Sequence, residues 1–182
     1  SAILNSTFAL AEAAETGDVI INEIMFDPLT GGSDWVELYN NSDKIIDLFE
    51  WQIAKNKDGV IDDNEIIDEH YLLAPRDYVV LTENTSQIIQ NYSASVIGKF
   101  IEMNLPSYNN DSSTVYIIDN QIFPPNNVID KVSYKDDWHF KLLDNTDGKS
   151  LERIDPNGLS DDKNNWHTAA EAIGFATPGR EN

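Results

Sequence analysis

Carboxylates are the residues best placed to do chemistry in this sequence, and two of them sit in consecutive apolar strand candidates: Glu23 in the run Val19 to Ile24 and Glu37 in Trp35 to Tyr39. Carboxylates on neighbouring strands can serve as a general acid and base, or as hard oxygen ligands for a metal. A strand glutamate also has a structural use, closing a hydrogen-bond network to a loop or pairing with a Lys or Arg. We expect the structural use for Glu23 and Glu37.

A second acidic group lies in Ala54 to Glu65, AKNKDGVIDDNE. With Gly59 at position 6 of an EF-hand loop, Asn56 falls at position 3, Asp58 at 5, Ile61 at 8, Asp62 at 9 and Glu65 at 12. Position 1 is Ala54 where an aspartate belongs, and the preceding residues read as a strand where the motif has an entering helix. The segment therefore reads as an acidic, solvated hairpin whose glycine serves a turn. The alternative is a weak extracellular-type calcium site completed by Asp58, Asp62, Asp63, Glu65 and backbone carbonyls.

The three histidines, His70, His139 and His167, stand apart with no HxH or HExxH spacing, which argues against zinc. Ser, His and Asp are present without a GxSxG context, which argues against an acyl-transfer triad. Trp51, Trp138 and Trp166, with Tyr108 and Tyr134, could form a platform for stacking on a sugar. Trp51 shares a strand face with Ile53 and Trp166 seals one end of the domain, so both read as core. Trp138, flanked by Asp136, Asp137 and His139, is in the most polar setting, and Trp138 with His139 is the candidate ligand contact.

The composition narrows the partners. A chain of 182 residues with 32 acidic and 12 basic side chains carries a net charge of −20. Binding a phosphate backbone depends on Lys and Arg releasing its counterions, so nucleic acid is excluded as an expected partner. With no cysteine there is neither a disulfide nor a zinc–thiolate site. No apolar run approaches a membrane span. The opening SAILNSTFALAEAAETGD lacks the basic and apolar regions of a signal peptide. Residues 1–17 read as an N-terminal arm or the end of a preceding domain, and residues 18–182 as one domain.

The elements that must position these groups are short strands. Val19 to Ile24 is a β-branched run stopped by Asp27, Pro28, Gly31 and Gly32. In the next strand Val36 and Leu38 alternate with Trp35, Glu37 and Tyr39, as expected where one face is buried. Ile45–Leu48 and Trp51–Ala54 read as a strand bent at Phe49 and Glu50, and Lys55–His70 as a long hairpin loop or protruding ribbon. Further strands fall at 71–73, 78–82, 100–103, 114–118, 128–134 and 149–154. One short helix is expected over Ser86–Tyr92, N-capped by Asn84 or Thr85, with Ile88, Ile89 and Tyr92 on one face. The tail after Asp155 is mostly loop, but Trp166, Phe175 and Pro178 predict that it wraps along the domain. Eight or nine such strands favour an antiparallel β-sandwich.

Taken in order, IINEIMFDP, DWVELYNNS, IDLFEWQIA, LAPRDYVVLT, VIDKVSYKDDWHF, KSLERIDP, NNWHTA and FATPGREN resemble the lamin-tail domain in its bacterial secreted or surface branch. The resemblance implies an all-β, immunoglobulin-like antiparallel β-sandwich with one short helix and long loops. It also implies a non-catalytic structural or adhesive module of a larger extracellular or cell-surface protein, found beside nucleases, phosphoesterases and proteases. Its expected partners are other domains of the parent chain and protein or glycan at the cell surface. The family carries over no catalytic residue and no certain cofactor, Ca2+ being the one considered. The chromatin-binding role of nuclear relatives is not carried over, since this chain lacks rod heptads and is strongly acidic. Two further readings are a module binding glycan or another surface ligand, and an accessory domain that positions a hydrolase in the same chain.

Overall fold

The protein is described from a computed structural model, which defines residues 10–57, 60–121 and 127–182. Two stacked sheets form the domain. The larger runs β12-β11-β1-β2-β7-β8, with β1 at Val19–Met25, β2 at Trp35–Asn40, β7 at Tyr78–Thr82, β8 at Phe100–Glu102, β11 at Leu151–Arg153 and β12 at Trp166–Thr168. The smaller runs β10-β9-β4-β5, with β4 at Gln52–Lys57, β5 at Val60–Ile66, β9 at Ser112–Asp119 and β10 at Asn127–Lys135. Ile46–Asp47 (β3) and Leu72–Leu73 (β6) pair as a third, two-stranded sheet. The all-β sandwich is as expected, with twelve strands among the described residues where eight or nine were read.

Hydrophobic burial explains the stacking. Ile21, Ile24, Val36, Leu38, Val79 and Leu81 from the larger sheet meet Ile53, Val115, Ile117, Ile129 and Val132 from the smaller, all at 1% exposure or less. The outward face of the larger sheet is covered too, which corrects the expectation of one buried face. Met25, Trp35 and Val80 pack there under Ile88 of the helix α1 (Thr85–Asn91) and Tyr92, its C-cap, with Ala176 of the tail. Asn84 caps that helix by accepting from the Gln87 backbone N–H at 3.1 Å. The helix links β7 to β8, and these two strands pair in parallel, the one departure from an antiparallel larger sheet.

One other segment differs from expectation. Phe49 and Glu50 do not bend one strand. They lie in a turn, closed by Trp51 N–H to Leu48 O at 3.0 Å, between strands of different sheets, and Glu50 takes φ +62° there. The acidic Lys55–His70 region takes the ribbon form that was one of its two readings: β4 and β5 pair out to Lys57 opposite Val60, with a register shift between Lys55 and Asn56.

A bulge in β1 sets up the rest. Ile21 pairs with Leu38 while Glu23 pairs with Glu37, so β1 has one residue more than β2 at this point, Asn22. The extra residue puts Ile21 and Ile24 both into the core with Glu23 outward between them. The Ile21 amide and carbonyl are satisfied by side chains: Ile21 N–H donates to Asp130 Oδ2 at 2.8 Å, and Arg153 Nε donates to Ile21 O at 2.8 Å.

Candidate functional site

Across the outward face of the larger sheet runs a row of polar side chains in register: Glu37 on β2, Glu23 on β1, Glu152 on β11 and His167 on β12. Glu23 and Glu37 are 0% exposed and Glu152 is 1% exposed. The two glutamates singled out in the sequence are direct cross-strand neighbours, and neither forms an ion pair among the described residues. Glu152 is a third member that the sequence reading passed over. It sits between Leu151 and Arg153, the same placing of a carboxylate inside a short strand that drew attention to Glu23 and Glu37.

A strap of the tail, Ala176–Gly179, lies buried over this row and supplies its donors. Thr177 N–H donates to Glu23 Oε1 at 3.0 Å, and Gly179 N–H to Glu37 Oε2 at 2.6 Å. The Ser150 hydroxyl lies 2.5 Å from Glu23 Oε1, and the Thr177 hydroxyl lies 2.7 Å from Glu152 Oε1 and 3.2 Å from Glu23 Oε2. The bulge residue Asn22 donates to Glu37 Oε1 at 2.8 Å and to Asn182 Oδ1 at 3.0 Å. Asn182 in turn donates to Arg153 O at 2.8 Å and Asn22 O at 3.3 Å. Glu23 and Glu37 thus close a hydrogen-bond network to a loop, through backbone amides and hydroxyls with no Lys or Arg involved.

Burial is the main influence on the acidity of this row. It pushes Glu23 up to about 8, helped by the charge of Glu152 and opposed by the bonds from Ser150 and Thr177. Glu37 is raised well above its ordinary range by burial and then by Glu23, against the Asn22 and Gly179 bonds. Glu152 is raised by burial, with Thr177 and His167 opposing; His167 Nε2 stands 3.7 Å from Glu152 Oε2. The nearest open space is a cleft of about 220 Å³ lined by Asn22, Tyr39, Tyr78, Arg153, His167 and Asn182. It reaches the margin of the row, while the strap covers the carboxyls themselves.

The inward side of the same strands buries charge by pairing it. Arg153 Nη2 meets Asp130 Oδ2 at 3.0 Å, with side-chain exposures of 1% and 9%. Asp130 also accepts from Ser160 Oγ at 2.6 Å and from Ile21 N–H. The guanidinium lies 5.2 Å from the Trp166 ring centroid, in cation–π contact. Burial pushes Asp130 up and Arg153 down, and the ion pair with its hydrogen bonds opposes both.

Trp138 and His139 are placed differently from expectation. His139 is buried at 5% exposure, because the 3-10 turn at Asp136–Trp138 directs it inward, 5.4 Å from the Phe26 ring and 3.0 Å from Thr168 Oγ1. Loss of solvent lowers it to about 4. Trp138 is half-buried against the core, its ring 6.3 Å from that of Trp166. Trp51, Trp166, Tyr108 and Tyr134 are all buried, so the five rings do not form one platform. What stands out beside Trp138 is Phe140, 62% exposed, on a cleft of about 460 Å³ that also takes in Lys141, Lys163 and His167.

Three of the four calcium candidates, Asp62, Asp63 and Glu65, fall on β5. Asp63 lies on β5 and pairs with Lys55 at 3.4 Å, and Glu65 stands opposite Ile53. Asp62 is a backbone residue of β5, and Asp58 with Gly59 lies outside the described residues. Among the described residues no three His, Asp or Glu side chains gather in a way that could hold a metal, and no helix is long and apolar enough to cross a membrane.

Comparison with known proteins adds one match. No curated protein matches the chain. The family model for the Lamin Tail Domain matches residues 12–136, well over half the chain, taking in Glu23 and Glu37 and ending before Glu152. The strand order, the two stacked sheets and this match agree, and the chain belongs to the lamin tail domain family, whose members are immunoglobulin-like, non-enzymatic modules.

Proposed function

We propose that the chain is a non-catalytic structural or adhesive module of a larger bacterial protein, working outside the cell or at its surface. The observation that supports this most is the strap over the carboxyl row. The three acids best suited to acid–base or metal chemistry are engaged by Ser150, Thr177, Gly179 and Asn22 and sealed from solvent. A rigid sandwich covered on both faces of its larger sheet suits a spacer or scaffold that holds neighbouring domains. Turnover assays with nucleic acid, phosphoester, peptide and glycoside substrates, with and without added metals, test the reading. No turnover is expected. Activity that copurifies with the fold and is lost in Glu23→Gln or Glu37→Gln without unfolding overturns it.

A second reading rests on Phe140, whose exposed ring beside half-buried Trp138 offers a stacking surface for a sugar or another surface ligand. A glycan array with the whole chain separates this reading from the first. An accessory role beside a hydrolase in the same parent chain requires an enzyme domain in the full-length gene. Calcium on the β4–β5 ribbon is tested by calorimetric titration: saturable binding lost in Asp58→Ala and Glu65→Ala supports a site, while no heat at millimolar calcium leaves a charged ribbon.

A further inference from the structure

Proton counting in the carboxyl row points to more than a static clamp. The hydroxyls of Ser150 and Thr177 own one proton each. Ser150 Oγ contacts Glu23 Oε1 at 2.5 Å and Phe175 O at 3.2 Å. Thr177 Oγ1 contacts Glu152 Oε1 at 2.7 Å, Glu23 Oε2 at 3.2 Å and Asn182 Oδ1 at 3.4 Å. Every partner in these contacts is an acceptor if all the carboxyls are ionised, so two protons face five oxygens. Glu23 Oε1 already receives the Thr177 amide as well as Ser150. Its other oxygen, Oε2, is where an additional proton resolves the conflict, by donating to Thr177 Oγ1 while Thr177 donates to Glu152.

We propose that this row is a proton-loaded latch: a proton held between Glu23 and Thr177 fastens the Ala176–Gly179 strap across the sheet, and its loss as pH rises loosens the strap. The surroundings offer no substitute charge for Glu23. Facing the row are Glu37 and Tyr39 from β2, Glu152 from β11, Tyr92 at the end of α1, Tyr78 from β7, His167 at the β12 edge and Glu181 beyond the strap. Of these only His167 can carry a positive charge, and it lies against Glu152. Nearby Lys99 is paired with Asp77, and Arg153 turns its guanidinium to Asp130 on the opposite side. Ala176 of the strap packs into the apolar cluster of Met25, Trp35 and Tyr92, so loosening uncovers part of that surface.

The direction follows from linkage. The closed latch binds a proton that the open, solvated glutamate gives up near 4.5, and it keeps that proton to about 8. Closing is fully favoured below the lower value, weakens by about tenfold per pH unit between the two for one proton, and levels off above the upper. Hydrogen exchange of the whole chain from pH 5 to 9 reads this directly. After correction for intrinsic exchange, protection of the Thr177 and Gly179 amides should fall with that slope and then flatten, with binding of a hydrophobic dye rising in parallel. In protein carrying carboxyl-13C glutamate, the infrared band of a protonated glutamic acid should be present at pH 7. In Glu23→Gln, whose amide cannot ionise, the slope should fall by one proton, about tenfold per pH unit. Constant strap protection over this range, or no protonated glutamate at pH 7 in the unaltered chain, overturns the proposal without recourse to any variant.

Discussion

The two faces of the larger sheet bury charge in opposite ways. Inward, Arg153 and Asp130 neutralise each other, and a ring contact with Trp166 and bonds to Ser160 and Ile21 complete the shell. Outward, Glu37, Glu23 and Glu152 lie side by side and are met by a strap of backbone amides, two hydroxyls, the Asn22 amide and, at the edge, His167. A buried ion pair carries its compensation in the side chains, so its cost appears when one partner is removed. A carboxyl row takes its compensation from protons and from a distant segment, and its cost changes with the medium.

Removing the distant segment should have the largest effect. Ending the chain after Pro156 deletes β12 and the strap, exposing Met25, Trp35 and Tyr92 and stripping the donors from the row. The expected loss is on the order of 5 kcal/mol or more, comparable to the stability of a whole domain, read as the absence of a cooperative melt. An unchanged melting temperature would show the tail to be a linker.

Next comes the ion pair. Arg153→Met leaves Asp130 buried without its partner and the Ile21 carbonyl without its donor. Urea unfolding at pH 7 should show a loss of roughly 3 to 5 kcal/mol. Acid that protonates Asp130 should narrow the gap to the unaltered protein.

Glu23→Gln should do something the arginine change cannot. A carboxyl whose pKa is raised in the fold gives stability that is present below pH 4.5 and withdrawn as pH climbs to about 8. The amide should therefore be stabilising at pH 8 relative to its effect at pH 5, by on the order of 3 kcal/mol. Equal effects at the two pH values would erase the contrast between the faces.

The smallest effect on stability is expected at Phe140→Ala, within about 0.5 kcal/mol because the ring is mostly in solvent. If a glycan array gives a hit, this change should abolish it while the melt stays put.

Much of this was legible in the sequence because it is local. Alternation in Trp35–Tyr39, the breakers after β1, and Asn84 ahead of the Ile88, Ile89 and Tyr92 face each report on a few neighbouring residues, and each element formed as read. The second buried face of β2 could not be read that way, since its cover comes from α1 and from Ala176. Glu152 was missed for the same reason: its meaning depends on pairing with β1, and Ser150 lies 127 positions from Glu23. His139 misled because Asp136 and Asp137 beside it do face solvent, and a single 3-10 turn is enough to send the next side chain inward.

The span between Glu23 and Thr177, 154 positions, also bears on how the chain reaches its native state. Strands β1 and β2 can meet as soon as both exist, but closing the strap requires ordering nearly the whole chain, which is entropically slow. Until that step the glutamates of the hairpin are open to water and ionised at neutral pH. Folding must then end with the capture of a proton from solvent, so the final kinetic phase should slow in alkaline buffer while the early hairpin steps proceed at their usual pace.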